Sequence, residues 1–335
     1  MAQQLDWRNR NIVVIGGSAG SLDALSQIVR HLPGDFPAAV LFVQHLPATH
    51  TSALPDILAQ RTALTVREAT DGASLTAGTL STCVPDYHLV LSEANMHLTR
   101  GPRENHSRPA IDTLFRSAAR HYRGRVVAVL LSGYLSDGLA GLSAVRRCGG
   151  LTVVQDPADA SVADMPQNAL DRHEADFVAD ARRIGDLLRE IVTQPAPSDP
   201  DVPDDVILET EMTVGRRMTI RSEDRIGELT PFACPDCSGN LWRVHDDVLR
   251  FRCHVGHAYT AADFAAAEQE KLEEALWTAL RGLRERAELL ATMASDARAA
   301  KRSASADRFA ANASEIEEQA NRLQDFIMTR TSVYA

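Results

Sequence analysis

The first 193 residues are dominated by one pattern: short apolar runs of strand length alternating with amphipathic stretches of helical period. The runs at 11–15, 39–44, 126–131 and 151–154 hold at most one polar residue each, so each needs cover on both faces. Strands of that kind belong to parallel sheets, whose crossover helices cover both faces; a half-exposed antiparallel strand would alternate apolar and polar. Helical periodicity at 22–31, 52–60, 111–121, 139–147 and 181–192 supplies the covering layers. Shorter strands are expected at 88–91 and 96–98. The expected fold class is α/β, a doubly wound, mostly parallel sheet with helices on both faces.

Beyond that domain, set at 10–193, the character changes. Pro195, Pro197, Pro200 and Pro203 alternate with aspartates, a stiff and self-repelling composition that predicts an exposed linker over 194–211. Residues 229–260 form a small Cys/His-rich module with little apolar mass. Residues 261–330 read as two long helices. Phe309, Ala313, Ile316, Ala320, Leu323 and Ile327 recur at heptad spacing in the second, facing a stripe of Leu272, Leu276, Leu283 and Leu290 in the first. That seam predicts an α-helical hairpin or coiled coil that buries itself, or that joins two copies in a homo-oligomer.

Charge and composition narrow the function. Residues 1–193 carry 20 acidic and 18 basic side chains, and residues 194–335 carry 25 and 17. Neither part presents the basic balance that nucleic acid demands, so no nucleic-acid partner is expected. No apolar run approaches the roughly 18 residues of a membrane span, and no basic-then-apolar leader opens the chain, so a cytoplasmic protein without membrane insertion is expected. Five cysteines, three of them clustered, do not make a disulfide framework. Cys83 and Cys148 lie in apolar segments and are expected in the core.

Gly16-Gly17-Ser18-Ala19-Gly20 follows the first strand and opens a helix. Such a turn can cradle a phosphate or present a nucleophilic serine. A dinucleotide site wants a second glycine where Ser18 stands and an acid at the end of the next strand; a P-loop wants a lysine. Lysine occurs only at 271 and 301. The next strand instead delivers His45 just past its end, and the strand at 126–131 runs on to Asp137. The carboxyl ends of parallel strands are where ligand sites assemble. Nucleophile, base and acid on three such ends point to acyl-transfer chemistry. Most lone histidines are structural; it is the shared strand-end position that singles this one out.

The order Ser18, His45, Asp137, with one strand before the serine, departs from the α/β-hydrolases. The chain resembles instead the catalytic domain of the CheB-type protein-glutamate methylesterases of bacterial chemotaxis. The likeness rests on IGGSAGS at 15–21, VQHLP at 43–47, EATDGASL at 68–75, PDYHL at 85–89, RPAIDTLFRSAA at 108–119, LLSGYLSDGLAG at 130–141 and QDPADASVADMP at 155–166. The resemblance implies a Ser18–His45–Asp137 triad, with the backbone N–H groups of Ala19 and Tyr134 as oxyanion donors and no catalytic cofactor. It also implies glutamate γ-methyl esters of a methylated chemoreceptor as substrate, with glutamine deamidation as a related activity. Only seventeen residues precede Ser18, so a receiver domain ahead of the esterase is not expected. Arg100, Arg103 and Arg108, the densest basic stretch of the domain, are candidates for holding an acidic substrate helix.

In the module, Cys234 and Cys237 are followed some 16 residues on by Cys253-His254-Val255-Gly256-His257. Two knuckles at that spacing suit tetrahedral zinc. Cys234, Cys237, Cys253 and His257 are the expected ligands of a structural zinc, with His254 the rival for the fourth place; the bland alternative is a knuckle that no longer binds metal. Against the esterase stands an interaction or scaffold protein that works through this module and its helices around a vestigial esterase. An intact triad argues against it. A nucleotide-binding domain ranks third, lacking the acid and the lysine.

Overall fold

The structure, a computed structural model, describes residues 5–6, 8–49, 52–198, 200–215, 227–244 and 248–331. Position 199 of the expected linker and positions 245–247 of the Cys/His module lie outside the described residues. The chain divides into two compact units, Met1–Phe264 and Ala265–Ala335.

In the first unit the expected sheet is present, with strands β1 (Ile12–Gly17), β2 (Ala39–Gln44), β3 (Thr65–Glu68) and β4 (Thr79–Thr82) on one side. A short antiparallel pair, β5 (His88–Leu91) and β6 (Met96–Thr99), follows. The sheet is completed by β7 (Val126–Leu130), β8 (Leu151–Gln155) and β9 (Phe177–Ala179). The order is β3-β4-β2-β1-β7-β8-β9, every pairing parallel. The helices are α1 (Ser21–Arg30), α2 (Leu54–Ala59), α3 (Ile111–Tyr122), α4 (Leu139–Arg147), α5 (Asp164–Asp171) and α6 (Ala181–Ile191). Strands β1 and β7 are wholly apolar, β2 is apolar up to Gln44, and all three are inaccessible over nearly their whole length, which is what reading them as doubly covered requires. Strand β1 lies between β2 and β7, so the chain winds outward from it in both directions and leaves a crevice at its carboxyl end. Cys83 and Cys148 are fully buried as expected, and burial pushes their thiols up to about 12 and about 11.

The expected linker is exposed at Gln194, Pro195, Pro197, Ser198 and Asp201, but from 204 on it is a helix rather than a linker. Its first residues lie along the esterase: Ala196 N donates to Arg8 O, and Pro197 and Pro200 pack against Gly124 and Gly149. Residues 204–213 then form a helix, α7 (Asp204–Thr213), packed on α3 with Val206, Glu209, Met212 and Thr213 buried. Local composition signalled stiffness and charge, but Pro203 stands where a helix begins, a place proline tolerates.

The Cys/His module is a four-stranded antiparallel sheet of β10 (Gly227–Ala233), β11 (Asn240–Val244), β12 (Arg250–Cys253) and β13 (Ala258–Thr260). It belongs to the same compact unit as the esterase. Five buried charges hold it there: Arg250 and Arg252 from β12, Glu209 from α7, Glu104 from the loop before α3, and Arg116 from α3. Arg116 reaches Glu104 at 2.7 Å, Arg250 reaches Glu209 at 2.7 Å, and Arg252 reaches Glu104 and Glu209 at 3.0 and 2.8 Å. Burial raises the Glu104 carboxyl, but Arg116 and Arg252 outweigh it and hold it down at about 2.

In the second unit, α8 (Ala261–Ala299) runs on from the first unit and α9 (Ser303–Thr331) follows. Leu280, Ala320 and Ile327 pack together with Leu276, Leu283 and Leu323 around them, as the heptad spacing predicts. Leu272 lies outside this seam and is 43% exposed.

Candidate active site

Each predicted catalytic residue stands just past the carboxyl end of a central strand: Ser18 after β1, His45 after β2 and Asp137 on the loop after β7. Gly16 makes room for this edge. A Cβ there would come within 2.2 Å of Ile111 Cγ2, so only glycine lets the start of α3 approach the sheet. Gly20 has φ 77, the left-handed turn that starts α1 directly behind Ser18. Ser18 N donates to Ser132 O at 2.9 Å, tying the serine turn to the Asp137 loop. Gly133 completes the approach: a Cβ on it would lie 2.9 Å from Ser18 Cβ.

His45 Nε2 lies 2.7 Å from Asp137 Oδ2. Nε2 therefore carries the proton shared with the acid, and Nδ1 is the nitrogen left to serve as base. Ser18 Oγ makes no hydrogen bond among the described residues. The N–H groups of Ala19 and Tyr134 likewise donate to no group among the described residues. The Tyr134 side chain is 60% exposed beside them.

Asp137 is 1% exposed and saturated with donors. Ile111 N donates to Oδ2 at 2.7 Å; Asp112 N and Gly138 N donate to Oδ1 at 3.2 and 3.0 Å; Asn105 Nδ2 donates to Oδ1 at 2.8 Å. Two of these are first-turn amides of α3, where the helix dipole favours an anion. Burial raises the Asp137 carboxyl, but the hydrogen bond and charge of His45, with the Ile111 and Asn105 donors, hold it below its ordinary value. Its neighbour Asp112 behaves oppositely: burial and the Asp137 charge push its carboxyl up to about 8. The two buried acids are thus shifted in opposite directions, as happens when two carboxyl groups share one site.

The three arginines do not form one free cluster. Arg108 donates to Asp86 Oδ1 through Nε and Nη2 at 2.9 and 2.6 Å, and Arg100 Nη2 lies 3.0 Å from Asp86 Oδ2. The hydrogen bond from Arg108 holds the Asp86 carboxyl below its usual range. Arg100 also lies over the Tyr87 ring. Arg103 is exposed and, with Arg108 and His106, lines a groove of about 340 Å³ whose opposite wall is His45, Leu46, Pro47 and Ala48. Asp86 was within reach of sequence reasoning, since it sits in the PDYHL segment, but nothing local named its partners.

Cys234, Cys237, Cys253 and His257 converge, their ligand atoms all within 4.8 Å of one another. Cys237 Sγ to Cys253 Sγ is 3.7 Å, Cys234 Sγ to His257 Nδ1 is 3.7 Å, and Cys253 Sγ to His257 Nδ1 is 3.5 Å. Bond lengths of about 2.3 Å to sulfur and 2.0–2.1 Å to nitrogen at tetrahedral angles require edges of about 3.5–3.8 Å. The three edges given have those lengths, and the donor set, three thiols and an imidazole, is one that suits zinc. His254 packs over Gly239 instead and is outside the group. The knuckles are closed by local bonds, Ser238 N to Cys234 O and Gly256 N to Cys253 O, with Ser238 and Gly256 at positive φ.

The class is that of a doubly wound α/β domain whose adjoining strand ends carry Ser18, His45 and Asp137. The chain belongs to the CheB methylesterase family, whose family model matches residues 13–188. It is 36% identical over 191 residues to protein-glutamate methylesterase/protein-glutamine glutaminase 2 of Methanosarcina mazei, covering 55% of this chain and 52% of that one. It is 40% identical over 186 residues to protein-glutamate methylesterase/protein-glutamine glutaminase 1 of Bordetella avium, covering 55% and 54%. The chain thus spans about half the length of these curated relatives. The crystal structure of the Thermotoga maritima CheB methylesterase catalytic domain matches with TM-score 0.53 and 34% identity, over 54% of this chain and 98% of that one. No helix among the described residues is long and apolar enough to cross a membrane.

Proposed function

We propose that the chain hydrolyses glutamate γ-methyl esters on a chemoreceptor-type helical protein, and that the same site deamidates glutamine. The observation that carries the reading is the His45–Asp137 contact of 2.7 Å at the strand edge that also bears Ser18, in a chain of the CheB methylesterase family. His45 Nδ1 takes the Ser18 proton while Asp137 holds Nε2–H, and Ser18 Oγ attacks the ester carbonyl. The Ala19 and Tyr134 amides receive the oxyanion. The protonated imidazole then gives its proton to the departing methoxide, which leaves as methanol. Water, deprotonated by the same nitrogen, attacks the acyl-enzyme; the bond to Ser18 Oγ breaks, the imidazolium returns the proton to that oxygen, and glutamate is released. Glutamine enters the same sequence with ammonia as leaving group. No step needs a metal. Zinc on Cys234, Cys237, Cys253 and His257 would fix the fold of the module, and the helical pair of the second unit is a surface through which copies of the chain could associate.

The test is methanol release from methylated receptor by the purified chain. Ser18→Ala is expected to lower the rate by at least about a thousandfold, as loss of a triad nucleophile does. Equal rates in the two proteins would overturn the reading in favour of a scaffold.

A further inference from the structure

The Cys/His module lies outside residues 13–188, the part shared with the family, yet it reaches the support of the catalytic acid. The connection runs through Asn105. Its Nδ2 uses both hydrogens on carboxyl groups, Asp137 Oδ1 at 2.8 Å and Asp112 Oδ2 at 2.9 Å. Its Oδ1 accepts from Thr260 N of β13 at 3.0 Å. The amide is thereby fixed in one orientation, nitrogen toward the acids and oxygen toward the module. The backbone is fixed by the same strand: Asn105 N donates to Ala258 O at 2.8 Å, and Ala258 N donates to Arg103 O. Asn105 and His106 both have positive φ, 49 and 60, so this turn needs outside support to persist.

A second contact reaches the other side of the acid. Ser136, next to Asp137, pairs through Oγ with Thr260 Oγ1 at 2.7 Å and donates to Asp263 Oδ2 at 3.0 Å. The metal-ligand cluster meets the same strand. Tyr259 lies between His257 and Thr260, its hydroxyl 3.5 Å from Cys234 Sγ, and its ring packs edge-on against His106 on the groove wall. From the ligands to the triad acid the path through the amide is short: His257, β13, Asn105, Asp137.

We infer that Asn105 is a positioning residue for Asp137 and that the module sets Asn105, so that metal at the four ligands conditions an esterase whose chemistry needs no metal. A metal that only stabilised the module would leave the esterase rate unchanged. This rests on the Ser18–His45–Asp137 reading, but not on the receptor substrate.

The test therefore uses two generic probes on the full chain: labelling of Ser18 by a fluorophosphonate, and hydrolysis of p-nitrophenyl acetate. Asn105→Gly removes the carboxamide while keeping the backbone at ease with φ 49. Losing a hydrogen bond to a buried carboxylate is expected to slow labelling and kcat by about tenfold to a hundredfold, with KM unchanged and one zinc per chain retained. Chelating the zinc from the unsubstituted chain is expected to give a loss of the same size, reversed by added zinc. Chelation of the Asn105→Gly chain should cost less than chelation of the unsubstituted chain, since the Asn105 carboxamide carries part of the coupling and the Ser136–Thr260 contact the rest. The inference is overturned if Asn105→Gly labels at the original rate, or if the chelated chain keeps its rate. It is equally overturned if the two losses multiply, or if chelation abolishes the far-UV circular dichroism of the chain. An unsubstituted, zinc-loaded chain that does not label at Ser18 overturns the triad reading itself. Failure on methylated receptor with labelling intact bears on the substrate alone.

Discussion

Glu209→Gln tests whether buried ion pairs hold the Cys/His module on the esterase. Glu209 is 1% exposed, and its carboxylate meets Arg250 at 2.7 and 2.9 Å, Arg252 at 2.8 Å and Arg116 at 3.7 Å. The substitution keeps the shape and removes the carboxylate charge that Arg250, Arg252 and Arg116 share in a site closed to water. Removing one partner of a buried pair costs about 3–5 kcal/mol, because the charges left behind are neither hydrated nor matched. In a domain of this size 1 kcal/mol moves the midpoint by about 2–4 °C, so the melting temperature should fall by about 6–20 °C. Scanning calorimetry on the zinc-loaded chain reads this directly. Replacing Glu209 and Arg250 together by methionine should cost less than the two single changes combined, since the orphaned charge goes with its partner. A fall of less than about 2 °C for Glu209→Gln would refute the reasoning; it would mean the arginines reach water and the module is held by other contacts.

The same carboxylates make the protein acid-sensitive. A carboxyl held near 2 in the fold and at 4.5 unfolded stabilises the fold above 4.5, and that contribution is lost as pH falls from 4.5 toward 2. Urea midpoints should drop across that window, and the drop should shrink in Glu209→Gln. For the metal, His257→Ala should abolish stoichiometric zinc, measured by elemental analysis after gel filtration, whereas His254→Ala should retain it; the reverse result would exchange the two ligands.

What could be read from the sequence were the features fixed by neighbours along the chain. Whole apolar strands announce a doubly covered sheet because no other environment would take them, and the bounds of β2, Ala39–Gln44, are legible to the residue. Strand-end position put Ser18, His45 and Asp137 on one edge, since in a parallel sheet every carboxyl end shares an edge. Knuckle spacing fixed the Cys234, Cys237 and Cys253 set and narrowed the fourth ligand to two histidines four residues or fewer from Cys253. Strands β3 and β4 escaped, because Thr65–Glu68 is half-exposed at the sheet margin and Thr79–Thr82 holds threonine and serine where apolar residues would signal burial. Everything that depends on a partner distant in sequence was decided by the tertiary structure alone. Asp86 takes Arg100 and Arg108; Glu209, in what composition marks as a linker, finds Arg250 on the Cys/His module; the Asp112 carboxyl is raised because folding buries it and brings Asp137 beside it. Asn105 is the clearest case, a residue with no motif whose three side-chain partners lie 7, 32 and 155 positions away. Local pattern encodes which surfaces must be buried; which polar groups then meet inside them is a property of the packed whole.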